Sequence, residues 1–297
     1  MPRIRVESIG TLPKGAQVKR ETLELVRVAA ENCLAQSSYR RSDIDLLIYA
    51  GVYRDEFLCE PAIAAIIAGL VKINDSIESQ HEKKTFAFDL LNGSVGFLNA
   101  CQVASGMMQA KKIKCAMVVA SEIENNAQVF PTELLGVSET GSAVILDESA
   151  DGKIGFGNIV CKYFTDYLEA FSSYTQQRSG KTYMHFEKDP DLETYYLHCI
   201  RDAVRQLLSL EQLDLAQVSV ILPPQISAQF IARLSDTLNI SRDKFVDIAH
   251  AGKDLYTSSL PYTLQHVREQ NLVQSGDVGL IITAGSGIQV GCATYYF

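Results

Sequence analysis

Apolar and polar residues follow two different periods along this chain, and the two periods predict alternating helices and strands. Between residues 20 and 36, apolar residues such as Leu23, Val26 and Ala30 recur at the spacing of one helix face. The short, nearly continuous apolar run at residues 44–50 is typical of a strand covered on both faces. Strands that alternate with helices predict an α/β fold with mostly parallel sheets. The pattern predicts strands at residues 4–9, 44–50, 85–91, 115–120, 143–146, 155–163, 218–222, 245–248, 278–283 and 290–296, and helices at residues 20–36, 61–70, 95–110, 192–208, 227–238 and 259–269.

The two halves of the chain repeat the same order of elements. Each half has a long amphipathic helix, a polar turn and then a strand, which read SDIDLLIYAG at residues 42–51 and LAQVSVILPP at residues 215–224. No stretch with the composition of a linker separates the halves. The sequence therefore predicts a duplicated α/β unit, with halves at residues 1–152 and 153–297 packed into one body.

Composition and charge exclude several classes of partner. The chain of 297 residues is 47% hydrophobic and carries a net charge of −8, without a strong cluster of Lys or Arg. Nucleic acid and anionic membranes are therefore poor partners, and no apolar run reaches the ~18 residues of a spanning helix. The seven cysteines form no C-x-x-C pair, and no spacing of ligands predicts a metal site. We expect a cytoplasmic protein with reduced cysteines.

Three segments carry a resemblance to the ketoacyl synthase III family. Residues 87–97 (AFDLLNGSVGF) read as a strand, a tight turn and a helix start, with a Gly-Phe pair after the turn. Residues 140–143 (TGSA) are similar to the family's Gly-Asp-Gly-Ala approach to a strand, and residues 276–297 resemble its closing hairpin. The resemblance implies a thiolase-like fold of two α/β halves in a five-layered body. It also implies a dimer and a substrate that is a thioester of acyl carrier protein or coenzyme A, with no separate cofactor.

The chain departs from that family at every position that carries the chemistry. The resemblance places the family's nucleophilic Cys at Ser94, its first His at Pro224, and its Asn near Lys253 or Asp254. A helix dipole contributes only ~0.3–1 kcal/mol and cannot ionise a serine hydroxyl, which needs an adjacent base. Because all three groups are changed together, we expect that this chain does not carry out decarboxylative condensation.

Two further side chains are candidates for proton transfer. Glu60 precedes Pro61 at a turn that, in dimers of the family, reaches the neighbouring subunit's acyl pocket, and some hydrocarbon-forming relatives place a Glu base in this region. Its alternative role is a carboxylate at a helix N-terminus. His250 is a weaker candidate, as a base for Ser94; its alternative role is structural, beside the turn at Gly252.

Two function classes follow from these residues. In the first, the protein is a non-condensing subunit of fatty-acid or polyketide-type biosynthesis, forming a homodimer or a heterodimer with a Cys-bearing ketoacyl synthase III paralogue. In the second, it is a Ser94-dependent acyltransferase or hydrolase that acts on acyl thioesters. A base within hydrogen-bond reach of Ser94 would distinguish the second class from the first.

Overall fold

A five-stranded sheet and a four-stranded sheet form the centres of two units of the chain in a computed structural model. The structure describes residues 2–13, 15, 17–73, 85–249 and 253–297. The first unit comprises Met1–Asn92, Gly96–Ile123 and Glu139–Gly155, and the second comprises Gly93–Val95, Glu124–Ser138 and Phe156–Phe297. Spatial compactness defines these units, so the duplicated halves at residues 1–152 and 153–297 stay a prediction.

The first unit packs helices against a mixed sheet with the strand order β1-β5-β4-β2-β3. Strands β2, β3 and β4 are parallel, whereas β5 is antiparallel to both β1 and β4. Its elements are β1 (Ile4–Thr11), α1 (Thr22–Gln36), β2 (Leu46–Tyr49), α2 (Ile63–Leu70), β3 (Phe86–Asp89), α3 (Gly96–Gln109), β4 (Ala116–Glu122) and β5 (Thr140–Glu148).

Helix α1 lies unusually close to this sheet because glycine occupies the contact. A Cβ atom on Gly141 of β5 would lie 2.3 Å from the carbonyl oxygen of Leu25, which is far inside the van der Waals limit. The apolar face of α1, including Val26 and Ala30, is buried against the sheet together with Ile145. The Gly of the 140–143 segment thus permits close packing of helix on strand.

The second unit has a four-stranded sheet with the order β6-β11-β10-β9 and a separate hairpin of β7 and β8. Strands β10 and β11 are antiparallel, and β9 is parallel to β10. Buried side chains of α4 and α5 form a core with this sheet. Its elements are β6 (Gly155–Tyr163), β7 (Phe171–Arg178), β8 (Lys181–Lys188), α4 (Leu192–Glu211), β9 (Val220–Leu222), α5 (Ala228–Leu238), α6 (Ser259–Glu269), β10 (Val278–Gly285) and β11 (Gln289–Tyr296).

The structure corrects four expectations about these elements. Both sheets are mixed rather than mostly parallel. The hairpin of β7 and β8 was not predicted, and residues 245–248 form only a single bridge, between Phe245 and Ile221. The helix predicted at residues 61–70 begins at Ile63. In the described part of the chain, no helix has the length and apolar character that crossing a membrane requires.

Candidate functional site

Ser94 lies in a tight turn two residues before α3 begins at Gly96. The preceding Gly93 has a φ of 52°, a left-handed conformation that favours glycine. The Ser94 side chain is buried, and its hydroxyl donates a hydrogen bond to the backbone carbonyl of Ala284 at the end of β10. The next residue, Gly285, also lies against this turn, since a Cβ there would be in ordinary contact with Ser94 Oγ at 3.5 Å.

The Ser94 hydroxyl faces a small pocket within the second unit. The pocket has room for about one water molecule, so in this form it does not hold an acyl chain. Three of the positions singled out in the sequence, Ser94, Pro224 and Asp254, come together in its wall. The complete lining consists of Ser94, Pro224, Ile226, Asp254, Tyr256, Ser259, Thr283 and Ala284.

Asp254 contributes a carboxylate to this pocket. One of its oxygens, Oδ1, accepts a hydrogen bond of 2.7 Å from the backbone N–H of Tyr256. The other, Oδ2, accepts none from any residue that the structure describes. Burial raises the pKa of Asp254 to about 6, against the opposing effects of the Tyr256 N–H and of Lys188. Asp254 is therefore a carboxyl group that exchanges protons close to neutral pH.

The backbone of Asp254 is fixed by a neighbouring segment of the same unit. Its N–H donates to the carbonyl of Gly136 at 2.9 Å, and its carbonyl accepts from Ser138 at 2.8 Å. Gly136 is itself held by the buried carboxylate of Glu124, which accepts its N–H at 2.8 Å and that of Leu135 at 3.2 Å. Sequence reasoning missed Glu124, although a polar residue just after a buried strand was a signal for it.

The same segment is anchored to the hairpin. The Asn126 side chain donates to the carbonyls of Glu133 and Met184 and accepts the N–H of Met184. Arg178 at the end of β7 pairs with Glu133, and its guanidinium lies 4.7 Å from the centre of the Tyr183 ring. The position of Asp254 thus depends on contacts that extend from the hairpin through residues 124–138.

Glu60 lies in the first unit, in an exposed turn that precedes α2. The helix N-terminus is capped by Asp89, whose carboxylate accepts the N–H groups of Ile63 and Ala64 at 3.0 and 2.9 Å. Asp89 also pairs at 2.8 Å with buried Arg54. Asp89 thus accepts two of the free N–H groups at the start of α2, and both roles considered for Glu60 stay predictions.

The remaining candidates do not join the pocket in the described structure. Lys253 is exposed, and His250 lies outside the described residues. Tyr183 on β8 packs edge-on against Phe130 at 4.9 Å between ring centres.

The sequence of this chain is similar to those of ketoacyl synthase III proteins. Residues 208–297 match the C-terminal domain family of 3-oxoacyl-[acyl-carrier-protein (ACP)] synthase III. The beta-ketoacyl-[acyl-carrier-protein] synthase III of Clostridium novyi is 24% identical over 273 residues, which cover 89% of this chain and 80% of the relative. That of Histophilus somni is 24% identical over 91% of this chain and 82% of the relative.

Solved structures cover nearly the whole chain. The 3-oxoacyl-[acyl-carrier-protein] synthase III of Aquifex aeolicus aligns with a TM-score of 0.81 and 18% identity, over 99% of this chain and 100% of that one. A cysteine-to-serine variant of Xanthomonas campestris OleA, with bound lauric acid and lauroyl-CoA, aligns with a TM-score of 0.81 and 16% identity over 99% of both chains. The chain is similar to ketoacyl synthase III proteins along most of its length, and it has the thiolase fold. The likeness and the fold class predicted from the sequence are thereby confirmed.

The groups around Ser94 limit the chemistry that the pocket supports. The pocket contains a hydroxyl that donates to a backbone carbonyl, a proline ring at position 224 and a carboxyl group at Asp254. A hydroxyl without an adjacent base is a weak nucleophile, and proline has no side-chain donor to stabilise an oxyanion. Among the described residues that line the pocket, Asp254 can accept or donate a proton, and none is a cysteine that could form a thiolate nucleophile.

Proposed function

We propose that this ketoacyl synthase III-like protein is a non-condensing subunit of fatty-acid or polyketide-type biosynthesis. One observation carries the proposal: the Ser94 hydroxyl donates its hydrogen bond to the Ala284 carbonyl, in a pocket with room for about one water molecule. Among the described residues, no side-chain base accepts that proton. The subunit pairs with a Cys-bearing paralogue, and the complex acts on thioesters of acyl carrier protein or coenzyme A, as the relatives' names indicate for the carrier protein.

Incubation with lauroyl-CoA tests this proposal. Lauroyl-CoA is a suitable probe because it was bound in the OleA structure. We expect the intact mass of the wild-type protein to stay unchanged and no 3-oxoacyl product to form with malonyl-CoA. A lauroyl adduct that disappears in Ser94→Ala would overturn the proposal in favour of a Ser94-dependent acyltransferase or hydrolase. Ser94→Cys is the matched variant, because it restores a thiol at the same position and reports whether the acyl group can reach it.

The free edge of the first sheet supports pairing with another subunit. Strand β3 is the last in the order β1-β5-β4-β2-β3, so one of its sides has no neighbouring strand in the described structure. Phe86 on β3 and Leu91 beyond it are each 57% exposed. An exposed apolar edge strand promotes aggregation unless another chain covers it. We propose that β3 pairs across a two-fold or pseudo-two-fold axis.

Light scattering measures this pairing directly. We expect the wild-type protein to have the mass of a dimer, alone or with the paralogue, and Phe86→Lys to weaken the dimer by about tenfold or more, because a buried interfacial charge is costly. Tyr163→Lys is a matched control, since Tyr163 is 60% exposed in the second unit. A wild-type protein that stays monomeric both alone and after co-expression with the paralogue would contradict the proposal.

A further inference from the structure

The pocket beside Ser94 has the size and the polar walls of a site for a single water molecule. Buried waters need two to four polar partners. Ser94, Asp254 and Thr283 line the pocket and carry side-chain oxygens, and the Thr283 hydroxyl also donates to the carbonyl of Gly291 at 3.2 Å. The Ser94 hydroxyl directs its proton to the Ala284 carbonyl, which leaves its lone pairs to accept a hydrogen bond from such a water.

Asp254 is the group in this pocket that can take a proton from the water. Its Oδ1 is held by the Tyr256 N–H, and its Oδ2 accepts no hydrogen bond from the described residues. The backbone contacts with Gly136 and Ser138 hold the main chain of Asp254 on both sides. A carboxylate that lines the pocket, with one oxygen that accepts no hydrogen bond from the described residues, is a candidate general base for a water molecule there.

We propose that Asp254 activates a water molecule in this pocket for the hydrolysis of an acyl thioester at the pocket mouth. The Asp254 carboxylate removes a proton from the water while the water oxygen forms a bond to the thioester carbonyl carbon. The carbon–sulfur bond then breaks, and the Asp254 carboxyl returns the proton to the leaving thiolate. The products are a free carboxylic acid and a thiol, and no other reactant is needed. The thioester class of the substrate rests on the proposed function.

The environment of Asp254 sets the pH range of this activity. Burial raises the pKa of Asp254 to about 6, with Lys188 favouring the carboxylate and Glu193 opposing it. Only the carboxylate accepts a proton, so the rate increases as pH rises through about 6 and is constant above it. A Ser94 nucleophile is not required, and no acyl-enzyme forms.

The release of free coenzyme A from lauroyl-CoA tests the proposal on the full-length protein. We expect slow wild-type hydrolysis above the spontaneous rate, and a loss of about 100-fold or more in Asp254→Asn, which is the usual size of a general-base contribution. Ser94→Ala should lower the rate by less than about tenfold, since it removes only one acceptor of the water. Asp236→Asn, an exposed carboxylate of the same unit, is the matched control.

Several specific results of these measurements would overturn the proposal. Wild-type hydrolysis at the spontaneous rate excludes the activity, and equal rates in wild type and Asp254→Asn exclude Asp254 as the base. Loss of hydrolysis in Ser94→Ala together with a lauroyl adduct on the wild type assigns the reaction to a covalent serine route. If Asp254→Asn unfolds, as judged by its circular dichroism, the wild-type pH profile decides, because a rate that does not rise through about pH 6 contradicts an Asp254 base. Failure of hydrolysis leaves the non-condensing role intact, since that role is tested by acylation and condensation.

Discussion

Gly141→Ala is expected to lower the free energy of unfolding by about 3 kcal/mol, the upper end of the usual cost of overpacking. The added Cβ would lie 2.3 Å from the Leu25 carbonyl oxygen and 2.7 Å from the carbonyl carbon. Both atoms belong to the backbone of α1, so no side-chain rotation can relieve the contact. Helix α1 must move away from β5, and the buried contacts of Val26 and Ala30 with the sheet weaken as it does.

Urea unfolding followed by circular dichroism measures this effect, and a second glycine provides the control. Gly106 lies in α3, and a Cβ there would have no neighbour within 4 Å. Because alanine is favoured over glycine inside a helix, Gly106→Ala should stabilise the protein by about 0.5–1 kcal/mol. The two identical substitutions are thus expected to change stability in opposite directions. A Gly141→Ala protein as stable as the wild type would show that α1 is not packed as closely on β5 as the structure places it.

The sequence predicts most of the elements because their burial is regular. The apolar run at residues 44–50 contains β2, and the helical spacing at residues 20–36 contains α1. These elements bury a full face or both faces, so local periodicity reports their environment. The hairpin of β7 and β8 was missed for the opposite reason: most of its residues are at least partly exposed, and Phe171–Arg178 includes a polar run without an apolar face.

Only part of the candidate site can be predicted from the sequence. Ser94 and Pro224 were identified through resemblance to family motifs, and the structure brings them into one pocket with Asp254. The proton affinity of Asp254 could not be predicted, because it depends on burial and on contacts with residues distant in sequence. Its backbone partners Gly136 and Ser138 lie more than a hundred positions away. Local patterns give no information about such pairings.

Glu60→Gln is expected to lower product formation by a complex with the Cys-bearing paralogue by about 100-fold, the usual contribution of a general base. This expectation rests on the proposed pairing across β3, with Glu60 as a base supplied to the partner's acyl pocket. Buried Arg54 and partly buried Asp89 hold the two ends of the turn that carries Glu60. Arg54 donates to the carbonyl of Leu58 before the turn at 3.1 Å, and Asp89 binds the N–H groups at the start of α2 after it. Because the turn is held at both ends, the Glu60 carboxylate has a defined position from which it could act as a base in the partner's pocket.

The measurement uses the complex recovered by co-expression and pull-down with the products of neighbouring genes. Gln keeps the shape of Glu60 and removes its charge, so the dimer itself should persist by light scattering. Glu56→Gln is the matched control, because Glu56 is also exposed and precedes the same turn. Equal product formation by the Glu60→Gln and wild-type complexes would exclude a catalytic role. Such a result would leave Glu60 only its alternative role, that of a carboxylate at the helix N-terminus.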